Sequence, residues 1–356
     1  MTAAGSLDHN VAMASKSNFQ AIDAEAGLAT AVLIPCFNEA SAIAKVIADF
    51  RASLPHARIY VYDNNSSDQT RTVAIAAGAA VKTEVRQGKG NVVQRMFADV
   101  DADVYVIVDG DDTYDASDAP TMVRRLLVED LDMVVGVRTA ISSTAYRPGH
   151  AWGNAAFNRL LAVFFGRGMS DIFSGYRVFS RRFVKSFPAL TTQFDTEAEM
   201  SVHCLSLGLP FAEVSTRFRD RPAGSSSKLR TYRDGTRILW RMLMLFKEER
   251  PIRFFGTLFA VFALLSLALG YPLLVTYLQT HLVPRLPTAV LAAALMLLAF
   301  ISLSCGLVLD GVSRFRREQK RLAYLALSRV SHSLRQDDDA HSGREFGRRA
   351  QGSATP

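Results

Sequence analysis

The chain has 356 residues, enough for one large domain with an appendage or for two domains. It contains 41 Lys and Arg against 34 Asp and Glu, a net charge of +7, and 49% of its residues are hydrophobic. Much of the basic excess flanks two apolar stretches near the C-terminus, so anionic lipid headgroups fit it better than nucleic acid, which we exclude as a partner. The three cysteines, Cys36, Cys204 and Cys305, are an odd number and have no metal-ligand spacing, which is typical of a reducing cytoplasm and of a chain with no disulfide framework.

Both ends of the chain are polar. Residues 1–28 are small and polar and lack the apolar core of a signal peptide. Residues 335–356 have a similar composition. Because such segments bury little apolar surface, the sequence predicts disorder at both ends.

Strand and helix patterns alternate between residues 30 and 138, which predicts a mostly parallel sheet with helices on both sides. Helical patterns cover about 39–53 and 68–77, and a third begins near Gly90. The predicted strands are Ala31–Pro35, Arg58–Tyr62, Val81–Val85, Val104–Val108 and Met133–Val137.

Polar residues follow each predicted strand. Asn38 and Glu39 follow the first, Asp63 the second, Gly88 and Lys89 the third, and Arg138 the fifth. Ligands of open α/β sheets bind at the carboxyl ends of the strands. Five such loops at one edge favour a cleft of nucleotide size over a set of unrelated turns.

The fourth strand is followed by Asp109-Gly110-Asp111-Asp112-Thr113. Carboxylates so close together repel one another unless a cation intervenes, and Mg²⁺ or Mn²⁺ prefers such ligands and bridges them to phosphate. The motif therefore suggests a metal–diphosphate site, although a solvated turn that caps the next helix fits it equally well in isolation. Gly88-Lys89-Gly90 can bind a phosphate through its backbone N–H groups and Lys89, but it also fits an ordinary turn. Asp63 can accept hydrogen bonds from a ribose or a base edge, but it also fits a helix N-cap.

Two uncharged apolar stretches, 254–278 and 288–309, each reach the roughly 20 residues that a transmembrane helix needs. Their outer flanks are basic and their connector is short, so we predict a hairpin (251–310) with both termini and the large domain in the cytoplasm. Residues 229–250 mix apolar residues with arginines, a pattern that predicts an amphipathic helix lying at the membrane surface. Residues 311–334 are predicted as a basic cytoplasmic helix.

Taken together, these motifs resemble the family 2 glycosyltransferases, and within them the dolichyl- and polyprenyl-phosphate glycosyltransferases. The resemblance extends from about Ala29 to Leu309 and is specific jointly rather than motif by motif. Its segments are Ile34–Glu39, Asp63–Thr70, Gly88–Asn91, Asp109–Asp111, Gly136–Arg138, Asp171–Arg177, Arg221–Leu229 and the paired spans.

The resemblance implies a Rossmann-like GT-A catalytic domain over residues 29–228 and a nucleotide-sugar donor. The implied metal ligands, for Mg²⁺ or Mn²⁺, are Asp109, Asp111 and Thr113, where Thr113 replaces the Gln that mannosyl members often have. The donor-binding positions it implies are Pro35, Asn38, Glu39, Asp63, Gly88, Lys89, Asp109, Gly110 and Asp111.

The implied acceptor is a polyprenyl phosphate, already anionic near neutral pH, which needs cations more than a general base. In-line attack inverts the anomeric centre. Asp171 either orients an arginine, acts as a base or forms a buried ion pair. The candidate acceptor-phosphate ligands are Arg138, Arg177, Arg219, Arg221 and Lys228, and the implied catalytic residues are Asp109, Asp111, Arg138, Asp171 and Arg177.

Three alternatives remain open at this stage. Asp109-x-Asp111-x-Thr113 also fits the nucleophile motif of haloacid-dehalogenase-like phosphatases, although that motif usually lies on the first strand of its domain. A processive polysaccharide synthase lacks support because the chain has no Gln-x-x-Arg-Trp motif. A non-enzymatic membrane anchor is disfavoured by the intact acids. The sugar, the base (uracil or guanine), the lipid length, the role of Asp112 and the number of subunits in an expected homo-oligomer are not fixed by the sequence.

Overall fold

The computed structural model describes residues 28–140, 168–189, 196–219, 243–244 and 246–327. The chain divides into two compact units. Unit 1 comprises residues 1–228 and 320–356, and unit 2 comprises residues 229–319. The predicted disordered ends and most of the predicted amphipathic helix (229–250) lie outside the described residues, although 243–244 and 246–249 are helical.

Unit 1 contains a sheet of seven described strands in the order β3-β2-β1-β4-β6-β5-β7. Only β6 among them is antiparallel to its neighbours, so the prediction of a mostly parallel sheet is confirmed. The strands are β1 (Thr30–Cys36), β2 (Arg58–Asp63), β3 (Ala80–Thr83), β4 (Val104–Ile107), β5 (Met133–Ala140), β6 (Arg177–Ser180) and β7 (Phe211–Phe218).

The predicted helices are present, although the first two begin later than predicted. Residues 40–42 form a turn before the first helix, whose N-cap position is Ala42. The described helices of unit 1 are α1 (Ile43–Ser53), α2 (Thr70–Ala76), α3 (Lys89–Asp99), α4 (Ala119–Val128), α5 (Arg181–Ser186) and α6 (Thr196–Leu207).

The core lies on both faces of the sheet because parallel strands bury both their side-chain rows. On one face, Val32 and Ile34 pack with Phe50 of α1 and with Met122 of α4. On the other face, aromatic rings from the strands and helices meet edge to face or stacked. These rings belong to Phe97, Tyr105, Phe179, Phe183 and Phe187.

This topology places the polar loops together. The carboxyl ends of β1 to β4 lie at one edge, since β3, β2, β1 and β4 are parallel neighbours. Because β6 is antiparallel to β4, its first residue, Arg177, and the loop before it reach the same edge. The predicted gathering of the loops at one edge of the sheet is thus observed for β1 to β5.

Unit 2 contains the helix α7 (Pro251–Thr280) and most of α8 (Leu286–Leu325), of which residues 320–325 belong to unit 1. Both helices are long and apolar enough to cross a membrane. Ser266 of α7 donates its hydroxyl hydrogen to the Ala292 carbonyl of α8 at 2.7 Å, so the helices pack as a pair. The small buried residues Ala299, Ser302 and Gly306 allow close approach, as at membrane helix interfaces. The basic helix predicted at 311–334 is continuous with α8 as far as Leu325, beyond which only residues 326–327 are described.

Candidate active site

The loops after β1 and β2 are tied together by side chains. Asn38 donates its backbone N–H to Ser66 Oγ at 2.9 Å and accepts from the Ser67 N–H at 2.8 Å. Asn38 has a φ of 54°, a left-handed conformation that asparagine tolerates better than most residues. The Glu39 N–H donates to Thr70 Oγ1 at 2.8 Å at the start of α2. Two predicted donor-binding loops therefore form one wall.

Asp63, at the end of β2, is a buried carboxylate with an unsatisfied oxygen. Its Oδ2 accepts from the Ser66 N–H at 3.3 Å, whereas Oδ1 is buried without a hydrogen-bond partner among the described residues. Only 5% of Asp63 is exposed. Buried polar atoms nearly always have partners, so this oxygen is suited to an N–H or O–H from a ligand.

Asn64 holds the loop after β3 in place. Its Nδ2 donates to the Glu84 and Arg86 carbonyls, both at 2.8 Å, and its Oδ1 accepts from the Gly88 N–H at 2.7 Å. Because Gly88 directly precedes Lys89, the first residue of α3, Asn64 positions that lysine. Sequence reasoning missed Asn64, although an amide between two polar residues at a strand end is a recognisable signal for loop bridging.

Lys89 is the centre of an ionic cluster. Its Nζ lies 2.5 Å from Asp109 Oδ1 and 2.5 Å from Glu197 Oε1. Burial alone lowers the pKa of Lys89, but the charges and hydrogen bonds of the two carboxylates outweigh it and raise the pKa above its ordinary value. Lys89 is therefore a permanent cation beside the acidic motif.

Glu197 is a second residue that sequence reasoning missed. It lies in the first turn of α6, where Glu197 and Glu199 are each only 8% exposed. Two buried acids in one helical turn are unusual, because ionised carboxylates are rarely buried without partners. Their burial is known only from the folded chain, so the sequence offered no signal for Glu197.

Asp111 and Thr113 form a buried, hydrogen-bonded pair in the acidic motif that begins at Asp109. The Thr113 hydroxyl donates to Asp111 Oδ1 at 2.6 Å, and the Thr113 N–H approaches the same oxygen at 3.3 Å. Thr113 thus orients Asp111, and its predicted contact with a metal stays a prediction. Gly110 lies between the two acids, where a Cβ would come within 2.7 Å of Cys36 Sγ.

Asp112, whose role the sequence left open, is held by α1. Its Oδ1 lies 2.8 Å from Lys45 Nζ, which also pairs with Asp49. The φ of Asp112 is 58°, a left-handed conformation. Hydrogen bonds and the charges of both aspartates raise the pKa of Lys45. The pair fixes the turn that follows Asp111.

The loop before β6 packs directly on Asp109. A Cβ on Gly175 would come within 2.9 Å of Asp109 Cγ and closer still to Oδ2. The Gly175 N–H donates to the Tyr114 hydroxyl at 2.9 Å, and burial raises the pKa of Tyr114 to about 12. Glycine is required here because any side chain would displace the carboxylate.

Arg138 and Asp171 form a bidentate ion pair at the end of β5. Nε lies 2.7 Å from Oδ2 and Nη2 lies 2.7 Å from Oδ1. Burial alone raises the pKa of Asp171, but its hydrogen bonds and ion pair with Arg138 lower it overall. Of the roles considered for Asp171, the geometry favours a partner that orients Arg138, since a carboxylate with a lowered pKa is a poor base.

The other predicted phosphate ligands are placed differently. Arg177 is 1% exposed and donates to the Ser174 and Ile172 carbonyls and to Ser201 Oγ, so direct contact with a phosphate does not fit the structure. Arg177 instead ties the loop before β6 to α6. Arg219 is partly exposed and pairs with Asp115 at 2.6 Å. The remaining two, Arg221 and Lys228, lie outside the described residues.

The carboxylates of this site fit a divalent cation whose remaining ligands come from the substrate and from water. Asp109 and Asp111 offer hard carboxylate oxygens, the ligands that Mg²⁺ and Mn²⁺ prefer. Within the described ranges, no group of three or more His, Cys, Asp or Glu side chains has the geometry of a metal site. Mg²⁺ commonly binds through one or two carboxylates together with substrate phosphates and water, and this arrangement fits that pattern.

Comparison with known proteins agrees with these features. The model of the family "Glycosyl transferase family 2" matches residues 31–187. The chain is 34% identical to Glycosyltransferase AglJ of Haloferax volcanii over 300 residues, which cover 82% of this chain and 96% of that protein. It is also 31% identical to the Dolichyl-phosphate hexose transferase of the same organism, over 62% of this chain and 95% of the relative.

A solved structure shares the fold. Glucosyl-3-phosphoglycerate synthase from Mycobacterium tuberculosis, crystallised with Mn²⁺, UDP-glucose and phosphoglyceric acid, aligns with a TM-score of 0.52 at 23% identity. The alignment covers 65% of this chain and 83% of that one. The described part of unit 1 therefore has the predicted GT-A fold, and the domain bounds 29–228 stay a prediction.

Proposed function

Because the chain belongs to glycosyl transferase family 2, we propose that this glycosyltransferase moves a hexose from a nucleotide sugar to a polyprenyl phosphate at the cytoplasmic membrane surface. The observation that supports this most is the Lys89–Asp109–Glu197 cluster at the carboxyl edge of the sheet. It occurs in a chain that also has two helices long enough to span a membrane. The name of the dolichyl-phosphate hexose transferase supports a lipid-phosphate acceptor.

The donor's base is assigned to the wall formed by the first two loops. The unpartnered Oδ1 of Asp63 is suited to one imino N–H, as uracil presents at N3. Guanine presents two adjacent donors, whereas the second oxygen of Asp63 already accepts from Ser66. The site therefore favours UDP-sugars over GDP-sugars. A solved structure of the same fold was crystallised with UDP-glucose.

The diphosphate is assigned to Lys89, Asp109 and Asp111. A divalent cation held by the two aspartates would neutralise the charge that develops on the nucleoside diphosphate as the sugar–phosphate bond breaks. Lys89 supplies a further positive charge at the same place, and Glu197 and Gly175 keep Lys89 and Asp109 in position.

The transfer itself needs little proton chemistry. An oxygen of the acceptor phosphate attacks the anomeric carbon, a new C–O bond forms, and the bond to the diphosphate oxygen breaks with its electron pair. The acceptor is already ionised, so no group has to remove a proton. Arg138, oriented by Asp171, holds the acceptor phosphate against the negative charge of the donor. Attack opposite the leaving group inverts the anomeric configuration.

The test uses purified full-length protein in detergent with Mg²⁺ or Mn²⁺, a short polyprenyl phosphate and a panel of UDP- and GDP-sugars. We expect a glycosylated lipid, seen by mass spectrometry, with a UDP-sugar as the preferred donor. NMR of the product is expected to show inversion at the anomeric carbon. Nucleotide-sugar binding without a lipid product would contradict the proposed acceptor, and retention would contradict the proposed attack.

A second function, hydrolysis through a phosphoaspartate, finds little support in the geometry. Asp109 would be the nucleophile, but Lys89 engages its Oδ1, and three strands precede β4, the strand that ends at the motif. A fluoride mimic of the phosphoaspartate that bound tightly to the enzyme would favour hydrolysis instead.

A further inference from the structure

Phe218 is the last residue of β7 and lies on the face of the sheet that carries Arg138. The register of the parallel strands β5 and β7 pairs Arg138 with Thr216 and Ala140 with Phe218. Because side chains alternate between the two faces of a strand, Arg138, Thr216 and Phe218 point to the same face. Phe218 therefore lies one diagonal step from Arg138, where it is half-buried against the core.

The Arg138 guanidinium lies over the Phe218 ring. Its Cζ is 5.6 Å from the ring centroid, within the range of a cation–π contact. Guanidinium groups stack on aromatic rings because they are planar and weakly hydrated. The same guanidinium donates from Nε and Nη2 to the two oxygens of Asp171, each at 2.7 Å. Asp171 therefore fixes one edge of the guanidinium plane, and Phe218 limits the movement of its face.

The ring also connects Arg138 to the acidic motif. The ring centroids of Phe218 and Tyr114 lie 5.3 Å apart in an edge-to-face contact, and the two backbones form an antiparallel bridge. The Tyr114 hydroxyl accepts from the Gly175 N–H at 2.9 Å, and Gly175 packs on Asp109. A continuous set of contacts thus joins the cation assigned to the acceptor to a carboxylate assigned to the metal.

We propose that Phe218 is a positioning residue that holds Arg138 in the orientation in which it receives the acceptor phosphate. The inference rests on the proposed function, in which Arg138 binds that phosphate. An arginine that is already held at its edge and at its face loses less rotamer freedom when the phosphate binds, so this preorganisation raises the affinity for the acceptor. The role requires the aromatic face of Phe218 rather than its apolar volume, because the face is what attracts a cation.

The test compares Phe218→Leu, Phe218→Tyr and Phe211→Leu in the full-length protein in detergent. Leucine keeps an apolar side chain against Tyr114 but has no aromatic face, whereas tyrosine keeps the face. We expect Phe218→Leu to raise the KM for a short polyprenyl phosphate about threefold to thirtyfold, the range that loss of one cation–π contact implies. The KM for the nucleotide sugar should stay unchanged, and Phe218→Tyr should behave as the unaltered enzyme does. Phe211→Leu removes a half-buried ring from the other end of β7 and is the control.

Binding of the same lipid without nucleotide sugar, measured by native mass spectrometry, gives a second readout that does not depend on transfer. We expect Phe218→Leu to bind the lipid more weakly than the unaltered chain, and Phe218→Tyr and Phe211→Leu to bind it equally well. If Phe218→Leu aggregates, Phe218→Met fills the space with a flexible apolar side chain that has no aromatic face, and it provides the same comparison.

A rise in the lipid KM of Phe218→Leu alone supports the positioning role. Equal lipid KM values in the two leucine variants overturn it and leave the proposed function intact. A rise in both KM values that Phe218→Tyr shares also overturns it, because a merely structural role would produce that result. If the unaltered enzyme gives no lipid product, the proposed function fails and lipid binding decides the inference. Equal binding by the two leucine variants, or no binding by the unaltered chain, then overturns it.

Discussion

Asn64 is the residue on which the placement of Lys89 depends. It is 4% exposed, and its amide makes three short hydrogen bonds to the backbone of the loop that ends at Gly88. Replacing it removes a partner from each of these backbone groups, and a buried hydrogen bond contributes about 1 kcal/mol.

We expect Asn64→Ala to raise the KM for the nucleotide sugar by about tenfold to a hundredfold, because the loop that presents Lys89 loosens. The KM for the lipid acceptor should stay unchanged. Steady-state kinetics with each substrate varied in turn measures both. Asn65→Ala, which removes an exposed neighbour bonded to the Val85 carbonyl, is the matched control. Equal effects of the two variants would contradict the positioning role.

Gly175 sets the position of Asp109 in a different way, by leaving space. We expect Gly175→Ala to push the carboxylate away and to lower kcat/KM about a hundredfold, as a misplacement of about 1 Å can do. Unfolding temperature, followed by intrinsic fluorescence, should change little if the carboxylate moves rather than the backbone. Gly311→Ala, in α8, meets open space and is the control. Full activity in Gly175→Ala would show that Asp109 tolerates displacement.

At the scale of elements, the first five strands were predictable because each is a short apolar run followed by polar residues. Strands β6 and β7 were not predicted. β6 begins with Arg177, which reads as a surface residue in sequence, and its place between β4 and β5 is fixed by contacts distant in the chain. β7 alternates, with Ala212, Val214, Thr216 and Phe218 on the more buried side and Glu213, Ser215 and Arg217 on the other, so its period-2 pattern was a signal that sequence reasoning missed. Arg177 was misassigned to the phosphate because burial of an arginine depends on tertiary partners.

The last turn of α8 belongs to unit 1, where Tyr324 contacts a buried acid. Its hydroxyl donates to Asp132 Oδ2 at 2.7 Å, and the Arg182 guanidinium lies 4.6 Å from the Tyr324 ring centroid and 3.1 Å from Asp132. Asp132 is fully buried, so each of its partners matters for stability.

We expect Tyr324→Phe to lower the stability of unit 1 by about 1.5–3 kcal/mol, because it removes a hydrogen bond to a charged group while keeping the ring over Arg182. Thermal unfolding in detergent measures the change as a lower apparent Tm. Tyr271→Phe, at an exposed position in α7, should leave the Tm unchanged. An unchanged Tm in Tyr324→Phe would mean that the segment 320–325 adds nothing to unit 1.

At the scale of the whole molecule, the two apolar helices predict an integral membrane protein. We expect the full-length protein to stay in the membrane pellet after extraction at alkaline pH, since each helix presents an apolar stretch long enough to span the bilayer. A peripheral protein held by basic residues would be released under the same conditions. Release of this chain would contradict the hairpin. The cytoplasmic orientation and the homo-oligomer stay predictions.

The GT-A fold, the family and the gathering of the polar loops were predictable from sequence, because strand ends of a parallel sheet converge by topology. The contacts between side chains inside the cleft were not predictable from the sequence. Glu197 is separated from Lys89 by more than one hundred residues, and no local pattern connects them. The partners of Asp112 and Thr113 likewise depend on side-chain directions that only the folded chain defines.

The central claim is that the acidic motif and its cation serve glycosyl transfer to a lipid phosphate. The most direct measurement compares the unaltered enzyme, Asp111→Asn and Asp112→Asn for formation of glycosylated polyprenyl phosphate, with mass spectrometry as the readout. We predict product with the unaltered enzyme and with Asp112→Asn, at a rate reduced by several-fold at most, because Asp112 only pairs with Lys45. We predict none above background with Asp111→Asn. Undiminished product from Asp111→Asn, or no lipid product from any nucleotide sugar with the unaltered enzyme, would contradict the account.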